Sequence, residues 1–259
     1  MIYLTEGDKE KICYDMWDRV IKLDLSSGSY YAKFTGNTGA FRELFGKKIF
    51  DMIGITSPEY IYLKEKNCIL STDLNQKYKK FVFASELNDI ASMNILYDTL
   101  KQFKNFEELV TQVNIMHFVD ILFCNTDRHT NNYGFAVNED NTAKLVVLDN
   151  ELMLEDFKHA TRPVSFPTHS HLVFTEYSKE CEYKYFMEGL SEKHKELIKY
   201  YIEKLDLKTI YSIMKSIERE NNCKFKNKNK LFRKYIKNYI MIYKCTMMNN
   251  KTLTRRTKW

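Results

Sequence analysis

The chain has 259 residues, of which 44% are hydrophobic and 29% are charged, with only 8 Gly and 3 Pro. These fractions exclude a disordered polar chain, a collagen-like repeat and a Pro/Gly linker protein, because enough apolar material is present to close a core. At this length we expect one large domain or two lobes.

The formal net charge of +6 is unevenly distributed along the chain. Residues 224–259 include 12 basic residues and no acidic residue, whereas the preceding 223 residues include 28 basic and 34 acidic residues. A mildly acidic body with a basic C-terminal segment suggests an anionic partner, such as nucleic acid, an anionic lipid surface or an acidic protein. The sequence contains no known RNA- or DNA-recognition motif.

The six Cys residues are scattered, without a Cys-x-x-Cys pair or zinc-ligand spacing. This scattered spacing is more typical of a cytosolic protein with reduced thiols than of a disulfide framework. The first residues lack a signal-peptide pattern, and no run of about 18 apolar residues predicts a membrane span. We therefore expect a cytoplasmic protein without a transmembrane segment, with a secreted effector lacking a recognisable signal as the alternative.

Residues 1–75 are predicted to form a small β-rich lobe. Two alternating apolar patterns on either side of a Ser-Ser-Gly-Ser turn at 26–29 predict a hairpin. Residues 36–39, which include two Gly, are predicted to break the chain before the only helix of this lobe, which stops near Gly54. The predicted strands cover residues 20–25, 30–34, 60–63 and 68–70.

Residues 76–259 are predicted to form a larger and mainly helical lobe. A helix from Phe106 to about Ile121 leads into a polar loop at 125–132, which is followed by a hairpin with strands at 134–137 and 144–148. A loop containing Pro163 and Pro167 then precedes three helical patterns. The predicted fold class is therefore α+β, with two lobes.

The polar loop and the hairpin after it carry the side chains most suited to chemistry. The loop includes Asp127 and Asn132, and 22 residues after Asp127 the second hairpin strand ends at Asp149. A hairpin returns its second strand beside the first, so Asp149 is expected near Asn132. Their carboxylate and carboxamide oxygens suit Mg²⁺, while Asp127 is free to orient or deprotonate a hydroxyl. Phosphoryl transfer from a nucleotide requires this division of roles.

These residue types are also common in turns, and an Asp-x-x-x-x-Asn spacing alone occurs often by chance. The catalytic interpretation is favoured here because a helix precedes the loop, a hairpin follows it, and an acid ends the second strand. The combination is more specific than any one of its parts.

This region of the sequence resembles a known kinase family. The run Asn-Thr-Asp-Arg-His-Thr-Asn-Asn-Tyr-Gly-Phe at 125–135, with Leu-Val-Val-Leu-Asp at 145–149, resembles the core of HipA-type serine/threonine kinases, and especially the compact CtkA-like forms. These kinases belong with the phosphatidylinositol 3/4-kinase-like branch of the protein-kinase fold. The resemblance implies a bilobal kinase that uses ATP and Mg²⁺ to phosphorylate Ser or Thr of a protein substrate.

The same resemblance implies roles for individual residues. Asp127 corresponds to the catalytic aspartate, and Asn132 and Asp149 correspond to the Mg²⁺ ligands. His129 is assigned to the hydrogen-bond network of the loop and, as a second possibility, to contact with the transferring phosphate. These assignments extend the interpretation drawn from the residues themselves.

The N-terminal lobe contains further residues that a kinase requires. A strand lysine must reach the nucleotide phosphates, and a helix glutamate must fix that lysine. Lys33 lies on the second predicted strand and Glu43 opens the predicted helix, in the order that the family has them. The resemblance also places the backbone that meets adenine near Thr72 and Leu74.

Two other functions stay open. Type II phosphatidylinositol 4-kinases share the Asn-Thr-Asp-Arg opening and an acid-Asn pair like that at 149–150, which makes a lipid kinase an alternative. The residues before Val20 include a single glycine, Gly7, and no Gly-rich phosphate loop. A pseudokinase that serves as a binding module is therefore a further alternative. If the chain does bind phosphates, a Gly-poor loop within 5–19 is preferred over the turn at 26–29, because that turn would place Lys33 too close behind the loop.

The end of the chain and the loop after Asp149 give weaker predictions. The C-terminal pattern predicts a helix that docks through an apolar stripe, with Arg233, Lys234 and Lys237 in solvent, where an anionic lipid or acidic partner could bind. The stripe consists of Leu231, Phe232, Tyr235, Ile236, Tyr239, Ile240 and Tyr243. In the loop, Ser165 and Thr168 are candidate autophosphorylation positions. His159, His169 and His171 are interpreted as surface residues, since their spacing closes no metal site.

Overall fold

The structure is a computed structural model that describes residues 4–10, 12, 20–87, 93–125, 127–154, 186–223 and 228–252. The predictions for Ser165, Thr168 and the three loop histidines lie outside these residues. The strands are β1 (Val20–Leu25), β2 (Gly28–Phe34), β3 (Tyr60–Leu63), β4 (Cys68–Thr72), β5 (Lys80–Phe83), β6 (Tyr133–Val137) and β7 (Ala143–Val147). The helices are α1 (Glu6–Glu10), α2 (Gly36–Met52), α3 (Ala84–Leu87), α4 (Met93–Leu100), α5 (Phe106–Phe123), α6 (Glu192–Lys204), α7 (Leu207–Asn221) and α8 (Lys228–Thr252).

The N-terminal sheet has four antiparallel strands in the order β1-β2-β4-β3. The hairpin predicted over residues 20–34 is confirmed, and its turn is formed by Ser26 and Ser27. Gly28 follows with a φ of 135°, a backbone conformation that favours glycine. The strands predicted at 60–63 and 68–70 are also confirmed, and β4 continues to Thr72. This sheet therefore places Lys33 near the end of a central strand.

A second sheet has three strands in the order β5-β6-β7. The hairpin predicted after the polar loop is confirmed as β6 and β7. The region after residue 75 was predicted to contain that hairpin and otherwise helices, and this is wrong at β5, which pairs with β6. Gly134 on β6 permits this pairing, because a Cβ there would lie 2.4 Å from the Val82 carbonyl oxygen. The partner strand is more than 50 residues away in sequence, so local periodicity did not reveal β5.

Helix α2 differs from its prediction at its first turn. The residues expected to break the chain at 36–39 form the start of the helix, and Glu43 lies well inside it. The expectation of a single helix in this lobe is also wrong, because α1 precedes the sheet. Gly54, with a φ of 79°, follows the end of α2 and confirms the predicted stop.

The largest hydrophobic cluster joins α2 to α5 and to the C-terminal helices. The Phe45 ring on α2 meets Phe123 on α5 edge-on at 5.2 Å, and Phe123 stacks on Tyr235 of α8 at 5.0 Å. Two residues of α6 also bind carbonyl groups at the end of α2: Tyr201 Oη donates to Ile53 O at 3.1 Å, and Lys204 Nζ donates to Met52 O at 2.7 Å. Helix α2 is therefore fixed to the C-terminal region by both apolar and polar contacts.

The three helices predicted at the C-terminal end are present, but the buried face of α8 differs from the predicted stripe. Tyr235 and Ile242 are buried, whereas Ile240 and Tyr243 are 43% and 39% exposed. Asn238 lies in the buried face because its Nδ2 donates to Ile121 O at 3.0 Å and Leu122 O at 2.7 Å, near the end of α5. Among the described residues, none of the helices combines the length and apolarity that a membrane span needs.

Candidate active site

The polar loop after α5 fixes the backbone of Asp127. Helix α5 ends at Phe123, the C-cap residue Cys124 turns the chain with a φ of 57°, and Asn125 N donates to Asp120 O at 2.9 Å. The Asp127 carbonyl oxygen accepts hydrogen bonds from His129 N at 2.9 Å and from Asn132 Nδ2 at 2.6 Å. Because the backbone is held in this way, the Asp127 carboxylate, 31% exposed, is presented to solvent.

His129 lies beside Asp127 in this loop. Its Nδ1 accepts a hydrogen bond from Asn131 N at 3.2 Å, which assigns the ring proton of the neutral form to Nε2. His129 Nε2 lies 4.0 Å from Asp127 Oδ2. The geometry agrees with the prediction that His129 belongs to the hydrogen-bond network of the loop.

Arg128 lies beneath the loop and is fully buried. It forms a bidentate ion pair with Asp120, in which Nε donates to Oδ2 at 2.9 Å and Nη2 donates to Oδ1 at 3.1 Å. The same guanidinium donates to the carbonyl oxygens of Asn132 and Leu148 and to Asn150 Oδ1. Arg128 therefore connects α5, the polar loop and the end of β7. No local sequence pattern indicates this role of Arg128, because its partners lie on three separate segments.

Lys33 and Glu43 form the expected ion pair. Lys33 Nζ lies 3.2 Å from Glu43 Oε1, and the second oxygen of Glu43 accepts a hydrogen bond from Asn150 N at 2.7 Å. Burial raises the pKa of Glu43 to about 7, helped by the charge of Asp149 and opposed by Lys33. Burial alone would lower the pKa of Lys33, but Glu43 and Asp149 outweigh it and raise that pKa.

Asp149 follows β7 and faces Lys33. The predicted return of the hairpin is confirmed, because Leu148 N donates to Asn132 O at 2.9 Å. Lys33 Nζ lies 2.8 Å from Asp149 Oδ1, and this ammonium group outweighs the effect of burial and lowers the pKa of Asp149. Asp149 has a φ of 41°, a left-handed conformation that few non-glycine residues adopt.

The donors around Asp149 fit a hard divalent cation. Asn132 is buried, and its Nδ2 is engaged by Asp127 O, so the carboxamide oxygen is left as the donor. No described residue donates a hydrogen bond to that oxygen. Together with the Asp149 carboxylate it supplies oxygen ligands, which Mg²⁺ prefers. The described residues hold no cluster of three or more His, Cys, Asp or Glu side chains that would form a separate metal site.

Strand β2 and helix α2 also contact the residues that follow Asp149. Lys33 Nζ lies 2.8 Å from Glu151 Oε2, Thr35 Oγ1 donates to Glu151 Oε1, and Arg42 Nη1 donates to Glu151 O at 3.0 Å. Gly46 allows the close approach of the two segments, because a Cβ there would lie 2.4 Å from Asn150 Cγ. No sequence pattern predicts these contacts of Glu151.

Two solved kinase structures share this architecture. The Helicobacter pylori proinflammatory kinase CtkA matches over 88% of this chain and 90% of its own, with a TM-score of 0.56 and 17% identity. HipA, from a Shewanella oneidensis MR-1 toxin–antitoxin complex with HipB and operator DNA, matches over 85% of this chain and 58% of its own, with a TM-score of 0.53 and 9% identity. The chain has a protein-kinase-like fold.

The predicted α+β class and the likeness to HipA-type and CtkA-like kinases are thus confirmed at the level of the fold. No protein-family model matches the sequence. No curated protein matches it either. The assignment of the kinase-like fold therefore depends on the three-dimensional arrangement.

The adenine-contacting residues of the kinase-like fold stay a prediction. Thr72 N donates to Glu59 O at 3.0 Å, so this amide is already engaged within the protein. Leu74 is buried in a small apolar cluster with Ala136 and Val146. Of the two predicted positions, Leu74 is therefore the one that lies against an apolar surface.

The turn at 26–29 uses its polar groups within the protein. Asp8 on α1 accepts hydrogen bonds from Ser26 N at 2.8 Å and from Ser26 Oγ. Ser29 Oγ donates to Asp24. These contacts favour a structural turn over a phosphate loop. Of the preferred segment 5–19, the structure describes only residues 5–10 and 12.

Proposed function

We propose that this protein is an ATP- and Mg²⁺-dependent phosphotransferase that phosphorylates Ser or Thr of a protein substrate. The observation that carries the proposal is the position of Lys33 Nζ, 3.2 Å from Glu43 and 2.8 Å from Asp149. A kinase-like fold needs this lysine at the nucleotide phosphates and this aspartate at the metal. The resemblance of residues 125–149 to serine/threonine kinases supports the protein acceptor.

Each residue then has a defined task. Lys33, oriented by the buried Glu43, binds the nucleotide phosphates. Asp149 and the Asn132 carboxamide oxygen would hold Mg²⁺, which neutralises charge on the phosphates. Asp127, with its backbone fixed by Asn132 and His129, orients the acceptor hydroxyl and takes its proton.

Transfer of radiolabelled phosphate from ATP tests the proposal. Wild type should label a general protein acceptor such as casein, or itself, whereas Asp127→Asn should lose transfer by at least about 100-fold, a typical loss for a general base. Asp98→Asn is the matched control, because Asp98 is exposed and its carboxylate pairs with Lys101, just after the end of α4 and away from the site. If ATP binds but no Asp127-dependent transfer occurs to any acceptor, the protein is a pseudokinase that acts as a binding module.

A phosphoinositide kinase is the second candidate, and the surface of α8 favours it. Arg233, Lys237 and Lys244 are exposed, and their spacing places them on one side of the helix with the exposed Ile240 and Tyr243. A helix face with cations and apolar side chains suits an anionic lipid surface.

Sedimentation with phosphatidylinositol-containing vesicles, followed by assay of lipid phosphorylation, separates the two candidates. Replacing the three α8 cations by Gln should abolish vesicle binding if the lipid is the acceptor. The matched control replaces the exposed Lys79, Lys101 and Lys144 by Gln. Wild type that neither binds vesicles nor phosphorylates lipid would exclude the lipid kinase.

A further inference from the structure

Lys33 contacts one carboxylate more than the proposed reaction requires. Besides Glu43 and Asp149, it pairs with Glu151 at 2.8 Å. The proposed function uses Glu43 to orient the lysine and Asp149 to bind the metal. Glu151 has no task in that scheme, although it occupies the ammonium group that the phosphates need.

Several contacts fix the position of Glu151. Its Oε1 accepts from Thr35 Oγ1, and its carbonyl oxygen accepts from Arg42 Nη1 at 3.0 Å. Gly39 leaves room for this arrangement, because a Cβ there would lie 2.7 Å from Glu151 Oε1 and 1.7 Å from Thr35 Oγ1. A residue larger than glycine at position 39 would displace both side chains. Glu151 is therefore held at Lys33 by the N-cap residue of α2 and by a residue within that helix.

Glu151 is the partner that can leave Lys33 most easily. Glu43 is 2% exposed, and its second oxygen is bonded to Asn150 N at 2.7 Å, so it is fixed within the core. Asp149 is fixed by its left-handed backbone and by its short side chain. The Asp149 and Glu151 side chains are similarly exposed, at 37% and 33%, but the Glu151 side chain is longer by one methylene group. It can therefore exchange its contacts with Thr35 and Lys33 for solvent when a phosphate approaches.

The charges around Lys33 explain what this arrangement would achieve. One ammonium group faces three carboxylates, so negatively charged groups outnumber the positive one around Lys33. A free nucleoside triphosphate adds further negative charge and is repelled. A divalent cation bound to the phosphates cancels two of their negative charges, so the site repels a metal-bound nucleotide less than a free one.

We propose that Glu151 occupies the phosphate position on Lys33 in the nucleotide-free protein and thereby makes the site selective for metal-bound over free nucleoside triphosphate. This inference rests on the proposed nucleotide-dependent function. It assigns to Glu151 a specificity role that is distinct from the phosphoryl transfer itself.

Calorimetric titration with a non-hydrolysable ATP analogue, in excess Mg²⁺ and in excess EDTA, tests the inference. For Glu151→Gln we expect about five- to tenfold tighter binding of the free analogue, since a like charge a few ångström away is removed from a partly exposed site. Binding of the metal-bound analogue should change much less. Glu139→Gln is the matched control, because Glu139 is an exposed carboxylate that pairs with Lys79 away from the site.

The possible outcomes are distinct. An unchanged ratio of the two affinities would overturn the inference and leave the proposed function standing. A ratio that falls because the metal-bound analogue binds more weakly would also overturn it, and would indicate that Glu151 is a metal ligand. No binding by wild type in either buffer would overturn the proposed function and the inference together. If Glu151→Gln does not fold, Thr35→Val, which removes the hydroxyl that holds Glu151, should shift the ratio in the same direction.

Discussion

Replacing Gly46 by Ala tests the close contact between α2 and the residues after Asp149. An ideal Cβ at position 46 would lie 2.4 Å from Asn150 Cγ, 2.5 Å from its Cβ and 2.7 Å from its Nδ2. Asn150 cannot move away, because it is fully buried, its Oδ1 accepts from Arg128 at 2.7 Å, and its N–H binds Glu43. The added methyl group must therefore push α2 and the metal-binding segment apart.

Two opposing effects determine the size of the change. In a helix interior, Gly→Ala normally stabilises the folded protein by about 0.5–1 kcal/mol. Overpacking a filled core costs about 1–3 kcal/mol. We expect the overpacking to prevail and the free energy of unfolding to fall by about 1–2 kcal/mol. A rise would instead mean that the gain in helix propensity prevails.

Urea denaturation measured by circular dichroism provides the assay. In a chain that already carries Asn150→Gly, Gly46→Ala should cost much less, because the atoms that it would meet are gone. A Gly46→Ala protein as stable as wild type, or more stable, would refute the close approach described for these segments.

Three further predictions concern stability. Burial and the charge of Arg128 lower the pKa of His117 to about 3, so the folded state favours neutral imidazole and stability falls as the pH drops below the unfolded value of 6.5. Between pH 7 and pH 5 this lowers the free energy of unfolding of wild type by about 2 kcal/mol. The difference in that free energy between wild type and His117→Gln, measured by urea denaturation, should therefore change by the same amount. Arg128→Met should destabilise the protein by about 3–5 kcal/mol in the same assay, because the Asp120 charge stays buried, and adding Asp120→Leu should restore part of the loss. Asn222 ends α7 with a φ of 48°, so Asn222→Ala should lower the thermal midpoint, at a cost of about 1 kcal/mol, whereas Asn222→Gly should not lower it.

Local patterns were sufficient for much of the fold. Alternation identified both hairpins, and helical periodicity identified α5 and the three C-terminal helices. The loop around Asp127, together with the acid at the end of β7, located the candidate site because a hairpin brings its two ends together. These features depend on residues that are near one another in the sequence.

The errors concern contacts between distant residues. Gly36 and Gly39 indicate a chain break when considered locally, but they lie inside α2, and Glu151 approaches closely at Gly39. Strand β5 exists because β6 pairs with it. The partners of Arg128 and of Glu151 come from segments that no local pattern connects, so the three-dimensional structure was needed to reveal both roles.

The attachment of α2 to the C-terminal helices limits how this protein could be regulated. Moving Glu43 away from Lys33 would mean withdrawing Phe41, Phe45 and Phe50 from the core. Each buried phenylalanine contributes about 1.5–3 kcal/mol, and the three would have to leave together. Completing the Lys33–Glu43 pair is therefore part of folding and needs no separate activation step. Control of this protein would then act on access to the candidate active site or on the supply of its ligands.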